Sequence, residues 1–201
     1  MLTSAIIARF NVQVDDASEL SSDEELALAQ ETYDEVCSDR PWEWLKSEYS
    51  GTTSTSVPYI ALPADFRELS PNKNQESIIF VGSDYREYKV VPFSSRREYR
   101  DMSGFCYIDI PNQRLYFTKQ PTTAEAVEYD YIKIPDALTT ATAPVVTTNQ
   151  FGNLIAYGMA RRFPSIEQAE KGMSYSSENM MEYERILTVL QKEDANIKLG
   201  M

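Results

Sequence analysis

Acid–base and metal chemistry in this chain would have to rest on carboxylates or lysines, because its 201 residues include no histidine. Imidazole is the commonest general base near neutral pH and a common zinc ligand, so its absence excludes the most frequent hydrolytic and zinc mechanisms. The acidic pairs Asp15-Asp16 and Glu193-Asp194 are typical of solvated or terminal charge. No two carboxylates stand out as an acid and a base with separated pKa values.

Motifs of nucleotide-binding and nucleophilic enzymes are also missing from the sequence. The chain contains no GxxxxGK[ST], GxGxxG or GxSxG segment, so neither a phosphate-binding glycine loop nor a nucleophile elbow is predicted. The two cysteines, Cys37 and Cys106, lie far apart without metal-ligand spacing, which favours reduced thiols in an intracellular protein. We therefore expect no enzyme activity, no metal site and no cofactor.

Charge is spread unevenly along the chain, whose net charge is −12. Residues 1–46 hold eleven acidic and three basic side chains, a net charge of −8. Such a segment repels nucleic acid rather than gripping it. The doubled basic sites Arg96-Arg97 and Arg161-Arg162 are candidates for nucleic-acid contact, but in so acidic a chain such pairs more often balance nearby carboxylates.

Length and composition indicate a globular protein, with 42% hydrophobic and 25% charged residues. The sequence has no apolar run of about 18 residues and no basic segment followed by an apolar leader. Neither a membrane span nor a secretory signal is expected.

Helical periodicity marks both ends of the chain. A first short helix is expected over 3–13, and a second opens at the capping box of residues 22–25 and ends before Arg40-Pro41. A further capping box at residues 147–150 opens a helix that ends at Phe163-Pro164. A helical stretch near Ser165 pauses at 172–174, and the last helix reaches about Lys192.

Strand periodicity replaces helical periodicity between about Glu48 and Pro135. The expected strands are 57–62, 77–81, 86–91, 106–110, 114–118 and 127–134, and Gly82 and Pro111 lie in the turns of two hairpins. The order of helices, strands and helices predicts an α+β fold, a helical bundle from the N- and C-terminal segments with an inserted small antiparallel β module. The predicted domain bounds are 1–47 with 138–201 for the bundle and its C-terminal arm, and 48–137 for the module.

Aromatic residues supply the expected core anchors and contact surfaces. Trp42 and Trp44 follow the stop of the second helix, and with Phe151 they are expected to fill the core. An exposed tryptophan pair that binds a ligand is the alternative. The thirteen tyrosines suit large contact surfaces, since tyrosine offers apolar area with a polar tip.

A structural corner is predicted where the first strand stops at Leu62-Pro63. Pro63 lacks an N–H and ends the strand, Asp65 can accept hydrogen bonds from backbone N–H groups after the turn, and Phe66 returns to the core. The corner is interpreted as structural rather than catalytic.

The succession of motifs resembles the head-to-tail adaptor (connector) proteins of tailed bacteriophages, the group that contains the tail tubular protein A of short-tailed phages. Residues 62–66 match position by position a Leu-Pro-Ala-Asp-Phe step that commonly follows the first strand of that family's inserted module. The other matching stretches are 40–45, 91–99, 106–109, 114–117 and 129–138, in the family's order. The resemblance covers roughly residues 3–190.

This resemblance implies a structural virion protein at the head–tail junction, present in the host cytoplasm during assembly. It implies a homo-oligomeric ring matched to the dodecameric portal, with portal protein and tail tube, nozzle or tail fibre proteins as partners, no membrane, and DNA only as passing cargo during genome ejection. A negative bore lets DNA pass without sticking.

A C-terminal arm that docks on the portal is implied by the same resemblance. After Leu190 the apolar spacing breaks, so the segment from Glu193 onward is expected to bury little and to anchor in a groove of the partner. The candidate contact residues are Arg185, Leu190, Ile197, Lys198 and Leu199. A frayed terminus that binds nothing is the alternative.

Two other functions stay open on the sequence alone. One is a non-viral soluble binding or regulatory module that uses the Trp42/Trp44 patch. The other is a histidine-free carboxylate hydrolase.

Overall fold

The computed structural model describes residues 1–14, 20–71, 77–162 and 174–199, and only the backbone of 174–177 and 199. The chain divides into two compact units, Met1–Trp44 with Pro135–Met201, and Leu45–Ile134. The expected helix end at Phe163-Pro164, the helical stretch near Ser165 and the pause at 172–173 lie outside the described residues.

Four helices make up the described part of the first unit: α1 (Thr3–Val14), α2 (Ser22–Ser38), α3 (Asn149–Arg162) and α4 (Ser174–Leu199). Helix α3 packs against the other three, and eight of its 14 residues are buried. Gly158 permits a close approach to α2, because a Cβ at this position would lie 2.3 Å from Thr32 Cγ2.

The N-caps of α2 and α3 each lie one residue from the predicted position. Ser21 rather than Ser22 caps α2, and its capping box is completed by Glu24. At α3 the Thr148 hydroxyl accepts a hydrogen bond from the Phe151 N–H at 3.3 Å. Both sites carry a doubled hydroxyl residue in the sequence, so spacing alone does not select which of the two becomes the cap.

Eight strands form one sheet in the second unit. They are β1 (Lys46–Thr52), β2 (Tyr59–Ala61), β3 (Phe66–Leu69), β4 (Ile78–Val81), β5 (Arg86–Val90), β6 (Phe105–Asp109), β7 (Arg114–Phe117) and β8 (Ala126–Lys133). Their order is β1-β8-β4-β5-β6-β7-β2, with β3 paired to β8. All pairs are antiparallel except β5 with β6, whose long connection contains a 3₁₀ turn at Phe93–Ser95.

The predicted fold class is wrong. Within the described residues the second unit is a nearly closed, barrel-like sheet of eight strands, accompanied by four helices in the first unit, rather than a small β module inserted into a helical bundle. Two strands, β1 and β3, were absent from the prediction. Strand β1 has the polar sequence KSEYSGT, and it is held in the sheet because all seven of its residues pair with β8.

The buried core of the sheet is formed by side chains of β2, β3, β4, β6, β7 and β8 and by Leu62. Tyr129 belongs to this core: it is 2% exposed, stacks on Tyr49 with ring centroids 4.7 Å apart, and lies beside Tyr131. The other buried members of the cluster are Ile60, Leu62, Leu69, Ile79, Val81, Cys106, Leu115, Phe117 and Val127.

The threonine-rich segment 137–148 and the C-terminal segment are better anchored than the sequence indicated. The Thr3 N–H and hydroxyl both donate to the Thr142 carbonyl, at 2.9 and 2.7 Å. The Val145 N–H donates to the Tyr33 hydroxyl at 3.2 Å. Helix α4 continues to Leu199 instead of ending near Lys192. In the segment from Glu193 onward, Asp194 is fully buried, whereas Glu193, Asn196, Ile197 and Lys198 are exposed.

Candidate interaction surfaces

The corner between β2 and β3 is held by Asp65, through contacts other than those expected. The Asp65 carboxylate accepts from the Tyr131 hydroxyl at 3.0 Å, and its carbonyl accepts from the Ile134 N–H at 2.6 Å. The Phe66 N–H donates to the Pro63 carbonyl at 3.1 Å, which closes the turn. Burial raises the pKa of Tyr131, and the hydrogen bond to Asp65 adds to this effect, whereas a hydrogen bond with Ser47 partly offsets it.

Phe66 completes this corner as a partly buried ring stacked on Tyr131, with centroids 5.8 Å apart. Leu62 is buried beneath it, while Pro63 and Asp65 are half-buried. The corner thus connects β2, which pairs with β7, to β3, which pairs with β8.

The tryptophan cluster lies in the helical unit. Trp42 is fully buried and its indole N–H donates to the Val36 carbonyl at 2.7 Å. Trp44 is half-buried, stacks on Trp42 at 4.0 Å and meets Phe151 edge-on at 5.7 Å. The buried Trp44 Nε1 has no hydrogen-bond partner among the described residues. The three residues are brought together as one aromatic group.

The candidate C-terminal contact residues are not brought together. Leu190 is buried, whereas Arg185 is exposed and pairs with Glu182 one turn earlier. Ile197 is 61% exposed. The Lys198 ammonium donates to the Pro41 carbonyl at 2.7 Å, so the helix end is tied back to the segment after α2. The Leu199 side chain lies outside the described residues.

Asp194 is the centre of a charged cluster that sequence reasoning took for terminal charge. Its Oδ1 accepts from the Glu43 N–H at 2.7 Å. Its Oδ2 lies 3.8 Å from Arg40 Nε and 3.1 Å from Lys198 Nζ, without hydrogen-bond geometry to either. The cluster is structural, because Asp194 contacts Arg40 and Glu43, and Lys198 contacts Pro41, all in the segment between α2 and β1.

One of the two doubled basic sites balances carboxylates, as the sequence predicted. Arg161 and Arg162 both bind the Glu35 carboxylate, and Arg162 also lies 3.2 Å from Glu31. Burial acts to raise the pKa of Glu35, but the hydrogen bonds and charges of the two arginines outweigh it and hold that pKa below its usual value. This site is a link from α3 to α2.

The other doubled site, Arg96-Arg97, lies beside a row of aromatic rings that the sequence analysis did not identify. We call this row the aromatic stripe; its members are Phe93, Tyr107, Tyr116 and Tyr59. Neighbouring ring centroids are 5.8, 5.2 and 5.2 Å apart, and Tyr107 and Tyr116 are nearly parallel. The three tyrosines alternate with the buried Ile60, Cys106 and Leu115 along β2, β6 and β7.

An arginine stacks on each end of the aromatic stripe. The Arg96 guanidinium lies 3.9 Å from the Phe93 centroid and that of Arg114 lies 4.1 Å from the Tyr59 centroid. A groove of about 370 Å³ adjoins the stripe, lined in part by Arg96, Arg97, Arg100, Tyr107, Tyr116 and Gln120. The signal that would have found the stripe is strand alternation combined with the register of the β6–β7 hairpin and of β2 on β7.

Neither metal-ligand clusters nor membrane-length helices occur in the described part of the chain. No group of three or more Cys, Asp or Glu residues there is arranged to hold a metal ion. Within 1–14, 20–71, 77–162 and 174–199, no helix combines the length and the apolar character needed to cross a bilayer. What the described surface offers is aromatic, cationic and acidic area for contact with other macromolecules.

Comparison with models of known protein families identifies the family of the chain. Residues 1–198 match the family described as SU10 adaptor protein. No curated protein matches the chain.

Proposed function

Since the chain belongs to the SU10 adaptor protein family of phage head-to-tail adaptors, we propose that it forms a ring which joins the portal of the phage head to the tail. The resemblance seen in the sequence is confirmed at the level of the family, and the chain is a structural component of the phage particle. In the proposed role, DNA passes through the bore of the ring and the chain has no catalytic activity.

The observation that carries this proposal is the extent of the family match, which takes in both compact units. The net charge of −12 supports the passage of DNA, because a predominantly negative lining does not bind phosphates. The chain would meet the portal and the tail after its synthesis in the host cytoplasm.

The portal contact is proposed for the exposed side of α4 near its end. Ile197 is exposed there, and Lys198 is held in place by Pro41 and Asp194. Arg185 is exposed about 18 Å further back along the same helix. Leu190 would not touch the portal itself, since it is buried; it would contribute by packing α4 against its neighbours. Leu199 belongs to this candidate contact by its place in the chain.

Localisation in the particle tests the proposal. An epitope-tagged chain, expressed in place of the untagged one during infection, is expected at the head–tail junction in immunogold micrographs. The same infection without the chain should yield filled heads that lack tails. Label on the capsid shell or at the distal tail tip, or normal tailed particles without the chain, would contradict the role.

A further inference from the structure

The aromatic stripe and its groove have the composition of a protein-binding surface. Phe93 is 45% exposed and Met102, in the same connection between β5 and β6, is 49% exposed. Aromatic residues, methionine and arginine are the types enriched where proteins bind one another. Large apolar rings combined with arginines therefore point to a docking site rather than to a solvated surface.

The arginines of the groove keep their charge available. In the described part of the chain neither Arg96 nor Arg97 forms an ion pair with a carboxylate, in contrast to Arg161 and Arg162. Arg100 lies 3.7 Å from Asp101, and both side chains are more than 80% exposed. The groove is thus a local cationic site on a strongly acidic protein.

The geometry holds one of these guanidinium groups ready for a ligand. The Arg96 guanidinium is held over the Phe93 ring and donates to the Phe93 carbonyl at 2.7 Å. A planar guanidinium fixed in this way keeps further N–H donors for a carboxylate, and little conformational entropy is lost on binding. The preferred partner is consequently a protein segment rich in carboxylates.

Helix α2 of the same chain has the complementary chemistry. Ser22–Ser38 contains six acidic residues and no basic one. Asp23, Glu31 and Asp34 are exposed. Positions 23 and 34 lie about 16 Å apart along the helix, since each residue rises about 1.5 Å. Within the described structure Asp34 accepts one hydrogen bond, from Gln30 at 2.7 Å, and joins no ion pair.

We propose that the groove beside the aromatic stripe receives the acidic face of α2 from a second copy of this chain. Each copy then presents one surface and receives the other, which is a heterologous contact of the kind that generates rings. That these contacts close into a ring rests on the proposed function. Nucleic acid is the less favoured occupant, because the net charge of −12 opposes its approach.

Charge exchange is the first test, with self-association of the full chain followed by sedimentation equilibrium. Arg97→Asp and Asp34→Arg are each expected to weaken self-association about tenfold, and the double variant should recover most of the loss. Both side chains are exposed, so unchanged melting temperatures are expected and serve as the folding check. Lys192→Asp, an exposed cation on α4, is the matched control and should not change association.

Cross-linking of two singly substituted chains is the second test. Copies carrying Arg97→Cys are mixed with copies carrying Asp34→Cys and treated with a short bismaleimide, which can join only different molecules here because each copy has one exposed thiol. The native thiols interfere little, because Cys37 and Cys106 are buried and burial raises the pKa of Cys106 to about 12. A covalent dimer is expected, at a yield well above that of Lys192→Cys mixed with Asp34→Cys.

Three results would overturn the inference. These are a cross-link yield no higher than in the control, no self-association of the unmodified chain at the highest soluble concentration, and single variants that associate normally. Loss of binding to a labelled oligonucleotide in Arg97→Asp, with association intact, would reassign the groove to nucleic acid. If Arg97→Asp attaches to portal-bearing heads and the cysteine pair gives no cross-link, the interface alone is rejected. If the cysteine pair gives a specific cross-link but the chain does not attach to these heads, the adaptor role alone is rejected.

Discussion

The Asp194 carboxylate accepts a hydrogen bond from the Glu43 backbone N–H at 2.7 Å, although 151 residues separate them in the chain. The last helix therefore fixes the short segment between α2 and the first strand. Because Asp194 is fully buried, this contact makes the end of α4 part of the fold rather than a free arm.

Asp194→Ala is expected to lower the free energy of unfolding by about 2–3 kcal/mol. The substitution leaves the Glu43 N–H unpaired and removes the partner of Arg40 and Lys198. Urea denaturation measures the loss. Glu193→Ala, at the exposed neighbouring position, is the control and should change stability by less than about 0.5 kcal/mol. Equal effects of the two substitutions would contradict the role assigned to Asp194.

The two tryptophans should differ in their contribution to stability. Trp42→Ala is expected to cost about 3–5 kcal/mol, since its ring is fully buried and its indole N–H is paired. Trp44→Phe should cost less than about 1.5 kcal/mol, because Trp44 is half-buried and its Nε1 already lacks a partner. Thermal unfolding of both variants provides the comparison. A larger loss for Trp44→Phe than for Trp42→Ala would contradict the half-buried position of Trp44.

The Glu35 link between α2 and α3 predicts a loss of stability at acid pH. Its pKa is lowered on folding by Arg161 and Arg162 against the opposing effect of burial. A carboxyl of this kind contributes stability above its unfolded pKa of 4.5 and loses it as the pH falls through the lower folded value. Glu35→Gln should be less stable than the parent by about 1 kcal/mol or less at pH 7, since the side chain is 38% exposed.

The unfolding free energies of the parent and of Glu35→Gln should converge below pH 4.5, because the parent loses the contribution of the Glu35 carboxylate there. Unfolding free energies measured from pH 7 to pH 3 test this. Glu31→Gln is the control, because Glu31 is more exposed and contacts only Arg162 in the described structure. A constant difference between parent and Glu35→Gln across that range would rule out the assigned link.

The sequence predicted the local elements better than their assembly. Both hairpins and the start of β8 lie within one or two residues of their expected positions, because alternation and turn residues are local signals. Strand β1 was missed because its stability derives from pairing with β8, which no local pattern encodes. With β1 and β3 added, the small module became a nearly closed sheet.

Functional surfaces were predictable only in part. The family followed from the order of motifs. That Arg161 and Arg162 balance carboxylates followed from the charge of the chain, although the partner Glu35 did not, and the same reasoning failed for Arg96-Arg97. The aromatic stripe depends on strand register across β2, β6 and β7, which positions residues far apart in sequence next to one another.

Ile197→Asp is expected to weaken attachment to portal-bearing heads without destabilising the chain. Ile197 is 61% exposed at the end of α4, so a charge there costs little in the free chain but opposes burial against the portal. The measurement is co-sedimentation with heads, together with the melting temperature. Val12→Asp on α1, where the parent residue is 81% exposed, is the control and should attach normally. Equal attachment of both variants would move the portal contact away from this helix end.

Attachment of the purified chain to phage heads tests the adaptor role most directly. Filled heads made without this chain are incubated with it, sedimented, and compared with heads that also lack the portal. The chain is expected to bind only portal-bearing heads, saturably, at a copy number that matches a ring, and to make those heads competent to receive tails. Absence of binding, or equal binding to heads with and without the portal, would contradict the adaptor role.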